Sequence, residues 1–340
     1  MKRIILQIGN FGGGTQLDGQ TIKTTCFYHL LIETETISKI KKIDIHNYRL
    51  HNYIFLFISL AFIVPFTSNI FIGLGNKGMK VLAPYLIFLC RIYRKRISYY
   101  VIGGWLFDFL DENKELIKKF KRFQYILVEL PSMVTNGKNI GLDNLVHFPN
   151  FREAPTQPLH NIRNSNKERL KLVFFSRVIK EKGIFNAIDA VNDLILSGYD
   201  ITLDIYGPCF IPDIENIILA YPNINYHGKL RPEEINNIIS LYDTMLFPTF
   251  YSGEGYPGAI IDAFMSHVPV IASDWKYNSE IITHNSDGLL FNLNLKDSLK
   301  NCILTLYNDN ELLSRMKVNA YKSSFLFSKS IAKETYSNLY

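Results

Sequence analysis

What this 340-residue chain has little of already narrows its class. Its four cysteines, Cys26, Cys90, Cys209 and Cys302, lie far apart and form no C-x-x-C pair. That argues for free thiols in a reducing compartment and against a disulfide frame or a zinc site. A bilayer span takes ~20 predominantly apolar residues, and the most apolar run here covers only 14. The most membrane-like segment, 53–66, reads as a buried helix or, alternatively, as an interfacial one. The N-terminal MKRIILQIGNFGGG has a basic start but only a short apolar run ending in glycines, so it reads as a first β-strand and not as a signal peptide. A cytoplasmic protein is the expectation. Repeats and low-complexity tracts are missing, as are a ribonucleoprotein-type stacking motif and a metal knuckle, so no nucleic-acid partner is expected.

Hydrophobic residues make up 47% and charged residues 20% of the chain, ordinary proportions for a folded protein and far from those of a disordered one. The length suits two domains of ~150–180 residues. The net charge of +6 is uneven: residues 1–150 hold 19 Lys and Arg against 10 Asp and Glu, and residues 151–340 hold 18 against 21. In the basic half the cations cluster as Lys39, Lys41 and Lys42, as Arg91, Arg94, Lys95 and Arg96, and as Lys118, Lys119, Lys121 and Arg122, interleaved with Ile, Tyr and Phe. Such clusters attract anionic lipid, phosphates or nucleic acid; solvated helix faces are the alternative.

Short β-rich runs alternate with helical segments, the pattern of parallel α/β sheets. In the first half, strands are expected at 3–8, 69–72, 97–102 and 124–128, and helices near 19–32, 77–91 and 113–120. The register of 40–64 is open. Proline and asparagine then crowd 148–169, a linker signature. A second alternation places strands at 171–175, 201–206, 224–226, 245–247 and 268–272, with helices at 184–196, 212–220, 232–241 and 257–266. Pro212, Pro232 and Pro257 stand near helix starts, where a missing N–H costs little. Residues 296–340 read as mostly helical. The expected plan is an N-terminal domain over 1–155, a linker over 156–169, a C-terminal domain over 170–325, and a last helix over 326–340 packing back on the first domain. A site is expected in the cleft of such a pair, at the carboxyl ends of the strands.

Two segments carry chemistry. In the first, Phe175-Ser176-Arg177-Val178-Ile179-Lys180-Glu181-Lys182-Gly183 leaves a strand and enters a helix, so that Arg177 and Lys182 can aim at one anion beside a helix N-terminus. A diphosphate fits that description, although basic strand-to-helix turns are common. In the second, Ser252-Gly253-Glu254-Gly255-Tyr256-Pro257-Gly258 is followed by a helix that carries Asp262. Gly255 and Gly258 allow close backbone approach to a ligand, Glu254 can accept hydrogen bonds from hydroxyls, and Asp262 can clamp a vicinal diol such as ribose.

These segments, with Ile205-Tyr206-Gly207-Pro208, Tyr226-His227-Gly228-Lys229 and Pro269-Val270-Ile271-Ala272-Ser273-Asp274, resemble the C-terminal domain of the family-four retaining glycosyltransferases of GT-B architecture. Glu254 and Asp262 match that family's E-x7-E element with aspartate in the second slot. The resemblance is strong over roughly 170–290 and weak over the N-terminal half. It implies an α/β fold of two Rossmann-like domains and a nucleotide-diphosphate sugar of the UDP or GDP type as donor. By the same resemblance Arg177 and Lys182 face the diphosphate, Glu254 the sugar hydroxyls and Asp262 the ribose. Gly207, Gly255, Tyr256, Pro257 and Gly258 belong to the donor site, and the stretch from His227 through Lys229 to Leu230 faces the base. Gly12, Gly13 and Gly14 resemble the family's first loop, which approaches the donor phosphates and the acceptor.

The chain departs from the family pattern at two places. His267 stands where members often carry glycine. Gly103 and Gly104 replace a histidine or acid, leaving Asp108 nearest, where it is expected to cap the following helix. No D-x-D occurs, so no metal site or cofactor is expected, and positive side chains and helix dipoles are left to stabilise the leaving diphosphate. The implied reaction is a front-face, retaining transfer to a glycan or lipid-linked glycan in surface-polysaccharide synthesis, carried by positioning and electrostatics. A peripheral place on an anionic membrane follows from the basic half. A nucleotide-sugar epimerase and a non-catalytic nucleotide-sugar-binding subunit are the alternatives.

Overall fold

The computed structural model describes residues 4–14, 18–35, 39–46, 50–153 and 169–340. Most of the linker expected at 156–169 lies outside the described residues. Two compact units form, one from Met1–Phe151 with Lys329–Tyr340 and the other from Arg152–Ser328. The first contains β1 (Ile4–Gly9), α1 (Gly19–Thr34), β2 (Lys39–Asp44), α2 (Leu50–Ile63), β3 (Asn69–Gly73), α3 (Asn76–Ile92), β4 (Arg96–Tyr100), α4 (Leu106–Glu112), α5 (Ile117–Phe120), β5 (Ile126–Val128), α6 (Pro131–Asn139) and β6 (Leu145–His147). The second contains β7 (Leu170–Phe175), α7 (Ile184–Leu196), β8 (Ile201–Tyr206), α8 (Ile214–Ile218), β9 (Ile224–Tyr226), α9 (Ile235–Ile239), β10 (Thr244–Phe247), α10 (Gly258–Met265), β11 (Val270–Ser273), α11 (Asn278–Ile281), β12 (Gly288–Phe291), α12 (Ser298–Asn308) and α13 (Asn310–Ser324). The chain then returns to the first unit as α14 (Lys329–Leu339).

Each unit is built on a six-stranded parallel sheet, in the orders β2-β1-β3-β4-β5-β6 and β12-β11-β10-β7-β8-β9. Both sheets reverse strand order beside their first strand, the point at which doubly wound sheets open a crevice at the carboxyl ends. In the second unit that switch lies between β7 and β10, which pair through Thr244 with Leu172 and Met245 with Val173. Its central strands β10 and β11 are buried on both faces, as the inner strands of a parallel sheet are; Leu172, Phe174, Leu203, Ile205, Leu246 and Ile271 are sealed in one core.

In the first unit, Phe27, Phe71, Tyr100 and Phe148 of the body meet Ala332 and Tyr336 of α14. Tyr336 donates to Glu35 at 2.9 Å. Helix α1 begins at a reciprocal cap, Asp18 accepting from the Thr21 amide and Thr21 from the Asp18 amide. The Lys39, Lys41 and Lys42 cluster is not a helix face: it lies on β2, the outermost strand, where exposed lysines hinder pairing with another chain. Segment 53–66 forms a helix and a following turn, but it is buried on one side only.

Candidate active site

The site of the second unit is built at its topological switch. From the end of β7 the chain passes Ser176 and Arg177 into a turn over Lys180–Lys182, then Gly183 and α7. Gly183 has φ of +77°, and a Cβ there would stand 2.0 Å from the Pro248 carbonyl oxygen. Only glycine lets this turn pack so closely on the loop that follows β10. The Phe250 amide donates to the Glu181 carbonyl at 2.8 Å and joins the two loops.

That junction brings the predicted charged residues together. Lys182, 6% exposed, places its Nζ 2.5 Å from Glu254 Oε2, and Glu254 is equally buried. The Thr249 hydroxyl donates to the same oxygen at 2.8 Å. The Arg177 guanidinium lies 4.9 Å from the centroid of the Tyr251 ring, and Lys182 Nζ lies 5.2 Å from it. One aromatic ring therefore gathers both cations, and Trp275 fixes it by donating from Nε1 to the Tyr251 carbonyl at 2.9 Å. Burial pulls the Lys182 pKa below its ordinary value and Arg177 adds to the pull, while Glu254 opposes both.

Gly255, Tyr256 and Pro257 follow as a buried segment leading into α10, with Pro257 at its N-cap and Tyr256 edge-on to Phe327 at 5.3 Å. Asp262 faces inward, but its neighbour is a residue that the motifs do not contain. Arg152 Nε donates to Asp262 Oδ1 at 2.9 Å, and both side chains are nearly covered. The guanidinium also fills the space above Gly258, where a Cβ would come within 1.9 Å of Arg152 Nη2. Burial raises the Asp262 pKa, with Arg152 pulling the other way without prevailing. Removing one partner of such a pair leaves the other charge buried and uncompensated. We expect Arg152→Ala to destabilise the protein by about 2 kcal/mol in urea unfolding, and the double variant Arg152→Ala/Asp262→Asn to recover at least half of that.

The remaining predicted positions serve the fold around this centre. Gly207, with φ of +141°, lies so close to β7 that a Cβ would meet the Ser176 carbonyl oxygen at 1.7 Å. Its amide donates to the Gly228 carbonyl at 2.7 Å. The Val178 amide donates to the Pro208 carbonyl at 2.9 Å and pins the Arg177 loop. His227 stacks on Tyr206 at 4.9 Å and bonds Asp204 at 2.9 Å. Burial opposes ionisation of Asp204, but bonds from His227, Asn225 and Tyr242 outweigh it and hold the carboxyl below its ordinary pKa. Lys229 is exposed.

The glycine loop of the first unit is occupied by its own chain. The amides of Phe11 and Gly13 donate to the Asp44 carboxylate at 2.9 and 3.0 Å, and the Gly12 amide donates to Asn10 Oδ1 at 2.9 Å. Those N–H groups are spoken for, so the loop through Gly14 is not an open anion cradle at Phe11, Gly12 and Gly13. Asp108 does not cap α4 as expected: Trp105 holds the N-cap position and Asp108 lies within the first turn. A buried pair that the sequence did not reveal stands in the same unit, Lys23 with Glu129 at 2.6 Å.

With this geometry in hand, comparison with known proteins is specific. Residues 156–323 match the family described as glycosyl transferases group 1. The chain carries a group 1 glycosyltransferase domain. Its sequence is 26% identical over 231 residues to an uncharacterized glycosyltransferase of Methanocaldococcus jannaschii, covering 62% of this chain and 57% of that protein. It is 25% identical over 178 residues to the alpha-D-kanosaminyltransferase of Streptomyces kanamyceticus, covering 50% and 45%. The chain thus spans about half the length of these curated relatives. The crystal structure of Anabaena HepE in complex with UDP-glucose superposes with a TM-score of 0.74 at 16% identity, over 98% of both chains. The fold, two parallel six-stranded sheets with helices, is that of the GT-B glycosyltransferases.

In the group 1 domain, His267 occupies a left-handed position with φ of +61° directly after α10, the conformation that a helix-ending glycine adopts freely. Stacking on Tyr321, at 3.9 Å and 20°, compensates. Burial lowers the His267 pKa to about 4. The folded state therefore binds fewer protons than the unfolded chain between pH 6.5 and 4, and the stability that neutral His267 contributes is lost as pH falls through that window. His267→Asn keeps a residue that tolerates the left-handed region. Its melting temperature should fall less than that of the parent protein between pH 6.5 and 4.

Proposed function

We propose that this protein transfers a sugar from a nucleoside-diphosphate donor of the UDP or GDP type to a hydroxyl of a glycan or lipid-linked glycan. The reading includes retention of anomeric configuration and use of no cofactor beyond the donor. It places the enzyme on the cytoplasmic side of a membrane, in the synthesis of a surface polysaccharide. The observation that carries it is the convergence of Arg177, Lys182 and Glu254 around Tyr251 at the β7/β10 switch of a group 1 glycosyltransferase domain.

In this mechanism Arg177 and Lys182 meet the charge that grows on the diphosphate as the glycosidic bond breaks. The acceptor hydroxyl attacks from the face the diphosphate leaves, and a departing phosphate oxygen takes its proton. Glu254 orients the sugar hydroxyls while keeping Lys182 aimed, so one buried ion pair links donor recognition to leaving-group stabilisation. Asp262, held by Arg152, receives the ribose next to Gly258. The group from Gly255 to Gly258 lines the sugar and diphosphate, and Gly207, His227 and Lys229 flank the base. For Gly12, Gly13 and Gly14 the proposed part is close approach to donor and acceptor, since the Gly12 and Gly13 amides are bonded within the loop.

The HepE structure contains UDP-glucose, which makes uridine donors the first to test. Thermal shifts with UDP, GDP and their sugars should reveal one stabilising nucleotide. Product analysis by NMR then reads transfer and anomeric configuration. Stabilisation without turnover on any acceptor would favour a binding subunit, and epimerised free donor an epimerase. An absence of stabilisation by every nucleotide would overturn the proposal.

A further inference from the structure

Helix α2 is apolar on both of its sides, yet only one side is covered. Leu56, Leu60 and Val64, four residues apart, are buried against the first unit. On the opposite side Ile54, Phe55, Ile58 and Phe62, with Phe66 in the following turn, stand between 54% and 73% exposed. A helix face turned to water is ordinarily polar, and single exposed apolar residues need no explanation. Five on one short helix and its turn do.

The face continues onto α3. Tyr85 of α3 donates to the Phe57 carbonyl at 2.7 Å and meets the Phe57 ring edge-on at 4.6 Å, which joins the two helices. Val81, Phe88 and Ile92 of α3, spaced seven and four apart and so in one row, are also exposed. The charge carried by this stretch of the chain is of one sign. Between Asp44 and Asp108 the sequence has no acidic residue and seven Lys or Arg, and Lys77, Arg91, Arg94 and Arg96, in and just beyond α3, are exposed.

We propose that the α2–α3 face is a membrane-docking surface that inserts Phe55, Phe62 and Phe66 into the outer layer of an anionic bilayer. Arg91, Arg94 and Arg96 then meet the lipid headgroups. The choice of occupant follows from the chemistry: bulky apolar side chains on two helices, α2 and α3, whose own charged residues are all cations. Among the described residues no helix is long and apolar enough to cross a membrane. At 14 residues α2 is ~21 Å long, short of the ~30 Å hydrocarbon core, so it lies in the interface plane. The assignment deepens the membrane-side placement proposed above and does not depend on sugar transfer.

The test is co-sedimentation of the full chain with vesicles of phosphatidylcholine alone or with about one third phosphatidylglycerol, across a salt series. The parent protein should bind the anionic vesicles, with binding that weakens as salt rises. Phe55→Ser/Phe62→Ser should lose binding by roughly a hundredfold, each phenylalanine contributing roughly tenfold, with an unchanged melting temperature because both side chains are already exposed. Arg91→Glu/Arg94→Glu should lose the preference for anionic lipid and the salt dependence. A parent protein that ignores both vesicles overturns the membrane placement and this surface together. Binding that survives the phenylalanine substitutions overturns this surface alone. If vesicles are ignored while light scattering finds a dimer that Phe55→Ser/Phe62→Ser dissociates, the face covers a second copy and the proposal is wrong. Nucleotide thermal shifts on the same variants report separately on the donor site.

Discussion

Arg177→Ala should slow sugar transfer about a hundredfold and change the stability of the protein little. The guanidinium is partly exposed and rests on the Tyr251 ring, a contact worth about 0.5–1 kcal/mol to the fold. Its proposed task in the transition state is larger, because charge that develops on a departing diphosphate in a water-poor site is worth about 3 kcal/mol per well-placed donor. Donor turnover at saturating acceptor measures the first quantity, and urea unfolding the second. Turnover within a factor of two of the parent would remove Arg177 from the mechanism. A large loss of stability would make it a structural residue instead.

At Glu254 the expected effect falls on the fold as well as on the chemistry. Glu254→Gln removes the only carboxylate within bonding distance of the buried Lys182 Nζ among the described residues. Breaking one side of a buried pair costs about 3–5 kcal/mol, whereas replacing both partners with neutral groups of similar size costs far less. The single variant should therefore melt well below the parent, and Lys182→Met/Glu254→Gln should regain most of the loss while remaining inactive. If the double variant is no more stable than either single one, the two residues are not coupled as their geometry implies. With the stability loss accounted for, Glu254→Gln should weaken the nucleotide-sugar more than the bare nucleoside diphosphate. An equal effect on both would place Glu254 away from the sugar.

The second unit was legible in the sequence because short apolar-rich strands alternate regularly with helices there. The strands over Ile201–Tyr206 and Ile224–Tyr226 and the helix over Ile184–Leu196 fall where periodicity places them. In the first unit β2 escaped notice because it is an edge strand of sequence KIKKID, whose polar content is what keeps that edge from pairing. Strands β6 and β12, of three and four residues, have no counterpart among the expected strands. Arg177, Lys182 and Glu254 could be read together because each lies in the loop that follows β7 or β10, and the strand order brings those strand ends side by side. The partnership of Arg152 with Asp262 joins positions 110 apart, and nothing local to the proline- and asparagine-rich stretch around Arg152 marks it. The same holds for Asp44, which closes the glycine loop from 31 residues away. An acid at the end of a neighbouring strand was the one available sign.

The return of α14 to the first unit also sets the order in which the protein can be completed as it is made. Residues 1–151 emerge first, yet their core lacks Ala332 and Tyr336 until residues 329–340 follow. The second unit, contiguous over 152–328, is finished in the interval. At ~5–20 residues per second that interval lasts roughly 10–35 s. Throughout it the seat for α14 beside Phe71 and Tyr100 is open on the nascent chain. The half made earliest is thus the half that closes last, and it is the one that a chaperone would have to shield.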